Sequence, residues 1–114
     1  MLLATDLWVS ALLKRVEMAG SFATIARKGD ARAGSVIVKV LNLRSRDAYV
    51  LPEAQTGQGV AGEETLWMRP VETLSEPDVD AYIERQIKYD PDLWVVEIED
   101  AEGRNYLTEK VEKF

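Results

Sequence analysis

At 114 residues, with 46% hydrophobic and 30% charged side chains, the chain suits one globular domain and is too short for two. It has no cysteine and no histidine, which removes disulfides, thiolate nucleophiles, imidazole bases, the Ser-His-Asp triad and the most frequent transition-metal ligands. The net charge of −6 argues against general nucleic-acid binding, which depends on clustered Lys and Arg neutralising phosphates.

That average conceals an asymmetry. Residues 1–46 carry a net +5 and the remainder −11, which together give the −6 of the chain. The plain reading is neutralisation within one fold; the sharper one is a pair of complementary patches that steer self-association or a partner. No apolar run approaches the ~20 residues of a membrane span. The apolar start at 1–4 has no basic flank and is interrupted by Asp6, so it reads as part of the fold, and a cytoplasmic address is expected.

Residues 7–19 read as an amphipathic helix, with Trp8, Val9, Leu12, Leu13, Val16 and Ala19 on one face. Thr5 or Asp6 suits its N-cap and Gly20 its end. Residues 22–27 and 35–41 follow as strands joined by the loop 28–34, an arrangement that predicts a hairpin; a short helix at 22–28 is the fallback. After a charged turn at 42–47, residues 48–51 make a third strand ending at Pro52. Residues 53–64 form a Gly-rich loop, and 66–71 resume as a strand ending near Pro70.

The second helix spans 76–89. Ser75 and Asp78 have capping-box spacing, Pro77 falls in the first turn, and Pro91 stops the helix. Residues 93–99 alternate, with Trp94, Val96 and Ile98 inward and Glu97 and Glu99 toward solvent. Residues 100–103 turn into 104–108 as a terminal hairpin, and 109–114 form a charged, frayed tail. The expected fold is α+β: one domain over 1–114, with a mainly antiparallel or mixed sheet of about five to six strands and two amphipathic helices packed on it.

Several patterns carry chemistry in other proteins. Gly57-Gln58-Gly59-Val60-Ala61-Gly62 spells GxGxxG, but a strand follows it instead of the helix whose N-terminus would hold a pyrophosphate. Glu97, Glu99, Asp100 and Glu102 supply hard oxygen ligands without the D-x-D-x-D-G calcium spacing, and they read as a strand face and a turn. None of the five serines (Ser10, Ser21, Ser35, Ser45, Ser75) lies in G-x-S-x-G. Trp8, Tyr82 and Trp94 read as core. Trp67 and Met68 point to opposite faces of a short strand: with the sheet covered on both faces both are core, the favoured reading, and otherwise one of them is core and the other an exposed interface anchor.

Three segments carry a resemblance: 7–15 (LWVSALLKR), 29–39 with Gly29-Asp30 and Ala33-Gly34-Ser35, and above all 90–100 (DPDLWVVEIED). They resemble the small bacterial family catalogued as domain of unknown function 1491, in the same order and over nearly the whole chain. That resemblance implies neither substrate nor catalytic residue. It directs attention to Asp90, Asp92 and Trp94, which read as helix stop, turn and core strand; the alternative is a polar site built from Asp90, Asp92 and Arg104.

The functional expectation is a non-catalytic protein-interaction module, associating with a protein partner or with itself as a homodimer through a strand edge or apolar patch. The second reading is a small-ligand or anion binder using the Gly-rich loop with Arg27, Lys28 and Arg32. The third is a carboxylate- and metal-dependent enzyme. No cofactor is expected.

Overall fold

The computed structural model describes residues 4–52, 67–69, 74–107 and 111–113; the side chains of 67–69, 74 and 111–113 lie outside that description. In chain order the elements are α1 (Thr5–Met18), β1 (Phe22–Arg27), β2 (Val36–Asn42), β3 (Asp47–Pro52), β4 (Trp67–Arg69), β5 (Leu74–Ser75), α2 (Glu76–Tyr89), β6 (Trp94–Asp100) and β7 (Val111–Lys113). The Gly-rich loop at 53–64 falls outside the described residues.

The main sheet has the order β1-β6-β2-β3-β5 and is mixed: β6 runs parallel to β2 and antiparallel to β1. Its body is four strands of six or seven residues, not the five to six expected; β5 adds only two residues beyond β3. The expected hairpin between β1 and β2 does not form, because β6 lies between them. Burial explains the exchange. β2 is buried along nearly its whole length and β6 at Trp94, Val95, Val96 and Ile98, so these two take the centre, whereas β1 carries Thr24, Ala26 and Arg27 and takes an edge.

The terminal hairpin is also absent. Residues 104–107 are not a strand and residue 108 lies outside the described residues; within the tail expected to fray, Val111–Lys113 pairs in parallel with Trp67–Arg69.

The helices cover opposite faces of the sheet. Val9, Leu12 and Val16 of α1 pack on Val36, Val38, Val40, Trp94, Val96 and Ile98. Val79 and Ile83 of α2 pack on Ile37, Leu41, Val50 and Val95. This double coverage is why β2 reads almost continuously apolar, Val-Ile-Val-Lys-Val-Leu, instead of alternating. Burying both faces is the main favourable term in folding a chain of this size.

The helix ends follow local chemistry with one exception. Ser75 caps α2, its hydroxyl accepting from the Asp78 N–H, and Pro77 lies in the first turn. At α1 the cap is Ala4, not Thr5 or Asp6. The N–H groups of Thr5 and Asp6 donate instead to the carbonyls of Arg32 and Ala31, so a neighbouring turn satisfies donors that a side chain usually does. The other end of α1 closes as the sequence predicts. Gly20 sits at φ +87°, its N–H donates to Glu17, and the Ser21 N–H donates to Val16. This is the Schellman pattern, and it aims Ser21 back toward the end of β6.

Candidate functional site

Two charged side chains are buried among the described residues, Asp100 and Lys39. They lie on different elements and do different things.

Asp100 ends β6 at 1% exposure. Its Oδ1 accepts from the hydroxyls of Ser21 and Tyr106, both at 2.5 Å. Its Oδ2 accepts from the backbone N–H groups of Glu102 and Arg104, both at 2.9 Å, and from Arg104 Nε at 3.2 Å. Burial pushes this carboxyl up, but hydrogen bonds from Arg104, Ser21, Tyr106 and Glu102 outweigh that and hold it well below the ordinary carboxylate range. The cluster ties three segments together: the end of α1 through Ser21, the 101–104 turn, and the descending chain through Tyr106. Tyr106 sits at φ +60°, a left-handed conformation costly for a bulky residue. Two contacts hold it there: its hydroxyl on Asp100, and its carbonyl accepting from Arg15 Nε at 3.2 Å.

Lys39 lies mid-strand on the α2 face of β2. Its ammonium donates to Glu76 and Asp80, both at 2.8 Å, while Glu97 of the neighbouring strand stands 3.8 Å away. Lys39 and Glu97 are register partners in the parallel β2–β6 pair, so they share a face. Burial lowers the Lys39 pKa, and the hydrogen bonds and charges of Asp80, Glu76 and Glu97 more than reverse this, raising it above 10.5. Glu97 is pushed up, first by burial and then by Glu99, Glu76 and Asp80, with Lys39 offsetting part of the rise.

Replacing Lys39 with Met is expected to lower stability by about 1–2 kcal/mol, since it leaves carboxylates facing one another while two of them keep water contact. A raised lysine pKa contributes stability that is complete below 10.5 and is lost as pH rises through the native value. Urea unfolding of Lys39→Met and the parent chain should therefore converge at strongly alkaline pH.

The third feature is a junction of backbone contacts. The Trp94 indole N–H donates to the Asp30 carbonyl at 2.6 Å, the Asp30 N–H donates to the Asp92 carbonyl at 3.0 Å, and the Trp94 N–H donates to the Ser35 carbonyl at 2.9 Å. Gly29 and Gly34 lie directly against Asp92 and Trp94. The Thr5 hydroxyl reaches the Gly34 carbonyl at 2.9 Å. The 29–35 and 90–94 segments quoted for the resemblance therefore meet in space, and their contacts fasten a turn to the core.

Residues 3–108 match the model of the DUF1491 family, whose description is a protein of unknown function. The chain belongs to that family. A crystal structure of a DUF1491 family protein from Caulobacter crescentus superposes with a TM-score of 0.87 at 54% identity, covering 97% of this chain and 100% of that one. An NMR structure of a DUF1491 family protein from the same organism gives 0.87 at 56% identity, with 98% of each chain covered. A protein of A. tumefaciens solved in solution gives 0.80 at 31% identity, again covering 98% of each. No curated protein matches the chain.

In this DUF1491 chain the polar site considered from Asp90, Asp92 and Arg104 does not assemble. Asp90 caps the C-terminus of α2 and accepts from the Asp92 N–H at 3.1 Å, both before β6 begins. Arg104 lies past the far end of β6, on Asp100, and a seven-residue strand separates its ends by roughly 20 Å. The reading of Asp90-Pro91-Asp92 as helix stop and turn, with Trp94 as core at 2% exposure, describes the structure.

Trp67 and Met68 lie in β4, and where their side chains point falls outside the described residues. The Arg27 guanidinium donates to the Leu93 carbonyl at 3.3 Å; Lys28 and Arg32 are exposed, and the loop with which they would share an anion is not described. Glu97 is a correction: expected on a solvent face, its side chain is only 25% exposed because α2 covers that face.

Ser21, Tyr106 and Lys39 were not singled out as a site by the sequence. For Lys39 a signal existed: one ammonium within an apolar β-branched run is buried wherever both faces are covered. No helix among the described residues is long and apolar enough to cross a membrane.

Proposed function

We propose that this DUF1491 protein is a non-catalytic protein-contact module that pairs with a second copy of itself along β1. The observation that carries the reading is the outer edge of β1. Among the described residues nothing pairs with it, and its Phe22 and Ile25 are 67% and 42% exposed. An edge strand offers a row of unpaired N–H and C=O groups that another strand can complete, and natural edges are usually blunted by Pro, Lys or bulges. β1 contains neither Pro nor Lys; its irregularity lies between Ile25 and Arg27 and leaves 22–25 regular.

Charge favours an antiparallel copy as the occupant. Arg27 and Lys28 lie at one end of the edge, while Glu99 lies across from Phe22 at the other. A two-fold axis near Thr24 sets the basic end of one copy beside the acidic end of its partner and places Ala23 opposite Ile25. Pairing along so short a strand buries less than the ~1,200 Å² of a standard interface, so a micromolar dimer is expected.

Light scattering across a concentration series should show a monomer–dimer equilibrium in the parent chain and a monomer throughout for Ile25→Lys. A parent chain that stays monomeric to millimolar concentration overturns the proposal, as does a dimer indifferent to Ile25→Lys.

A further inference from the structure

α2 lies mainly over β2, β3 and β5, and one side of it borders β6 and the end of β1. There the chain forms a cleft of about 300 Å³, at the lower end of the ~300–1,000 Å³ typical of ligand sites. Ile83, Ile87 and Val95 supply an apolar floor, of which Ile83 and Val95 are buried core residues. The walls carry Lys39, Asp80, Glu84, Glu97 and Arg27.

The charges on these walls are unequally satisfied. Lys39 gives its two short hydrogen bonds to Glu76 and Asp80. The Arg27 guanidinium is turned to the Leu93 carbonyl. Glu97, half-buried, is ion-paired with Lys39 at 3.8 Å but accepts no hydrogen bond among the described residues. Glu84 adds a further carboxylate at the exposed rim. A partly desolvated carboxylate with spare lone pairs calls for a donor that carries positive charge.

The geometry selects which cation. A divalent metal needs several oxygen ligands converging within about 2.0–2.6 Å, and no group of three acidic side chains among the described residues is placed to hold one. An ammonium needs fewer acceptors, and an attached carbon chain would cover the aliphatic floor. An anion would meet Glu97 and Glu84, while the two cations of the lining, Lys39 and Arg27, are already turned to Glu76 and Asp80 and to the Leu93 carbonyl.

We propose that the cleft between α2 and β6–β1 binds a small primary alkylamine, its ammonium donating to Glu97 and its carbon chain lying on Ile83, Ile87 and Val95. The cleft shares Arg27 with the end of the β1 edge, but its carboxylates and apolar floor lie on α2 and β6, and a monomeric chain presents it in full.

The test is an NMR titration of the labelled chain with butylamine hydrochloride and with 1,4-diaminobutane dihydrochloride. Butanol and sodium chloride at matched ionic strength serve as controls. The expected result is saturable shifts at the Val95 and Glu97 amides and the Ile83 and Ile87 methyl groups with the amines only. Glu97→Gln should weaken binding at least ~10-fold, the scale of losing one charge-assisted hydrogen bond. Glu84→Lys, on an exposed rim position that leaves packing untouched, should weaken it too, and it decides the matter should Glu97→Gln fail to fold. Shifts reproduced by sodium chloride or butanol, no saturation, or affinity unchanged in the folded variants each overturn the assignment.

Discussion

Asp100→Asn is expected to cost about 3 kcal/mol and to lower the melting temperature by roughly 10 °C in a domain of this length. The substitution keeps the shape but turns one acceptor oxygen into a donor, in a pocket where the Ser21 and Tyr106 hydroxyls, the Arg104 guanidinium and two backbone N–H groups already donate. The amide carbonyl can keep the N–H donors of Glu102 and Arg104, but the Ser21 and Tyr106 hydroxyls must then turn round to accept from the amide N–H, and every remaining bond loses its charged acceptor. Because Arg104 is mostly exposed, the loss falls mainly on the hydroxyl and backbone bonds. Tyr106→Phe and Ser21→Ala should each cost about 1 kcal/mol.

The pH dependence has a definite sign. A carboxyl held below its unfolded value of 3.8 contributes stability that is present above that value and disappears as pH falls toward the native one. Urea unfolding should therefore show the gap between parent and Asp100→Asn widest at neutral pH and narrowing progressively below about 4. A gap that stays constant through that range would mean Asp100 acts through shape alone.

Local features were legible in the sequence wherever they were settled locally. The span and cap of α2 followed from Ser75, Pro77 and Pro91, and the end of α1 from Gly20, since those residues determine backbone geometry within a few positions. Strand order was not legible. The sequence reads β1 and β2 as neighbours joined by a short loop, but β6, with Trp94, Val95, Val96 and Ile98 all buried, displaces β1 to the edge. That choice compares burial across 60 residues of sequence, which no local window contains. The same cause hid the clusters: Ser21 and Asp100 are 79 positions apart, and Asp100, in a D-A-E-G run, has the signature of an ordinary turn residue. The misreading of Glu97 follows from expecting one solvated sheet face where α2 in fact lies.

Gly29→Ala is expected to be the most damaging single-methyl change in the described structure, costing more than about 3 kcal/mol. A Cβ at Gly29 would stand 2.1 Å from the Asp92 carbonyl oxygen, 2.7 Å from the Leu93 carbonyl carbon and 2.7 Å from Trp94 Cδ1. Two of these are backbone atoms immediately before the central strand β6, and the third belongs to an indole buried at 2% exposure. None can rotate aside, so relief requires parting the 29–34 turn from β6. That would break the Asp30–Asp92 and Trp94–Asp30 hydrogen bonds and loosen the carbonyls that receive the first N–H groups of α1. Gly20→Ala is the informative control: it has open space around it but a φ of +87°, so it should cost about 1 kcal/mol from backbone conformation alone. Equilibrium urea unfolding of both variants separates close approach from backbone freedom. If Gly29→Ala costs no more than Gly20→Ala, the glycine is not there to let the turn touch β6, and the pairing of Gly29-Asp30 with Asp92-Leu93-Trp94 loses its structural explanation.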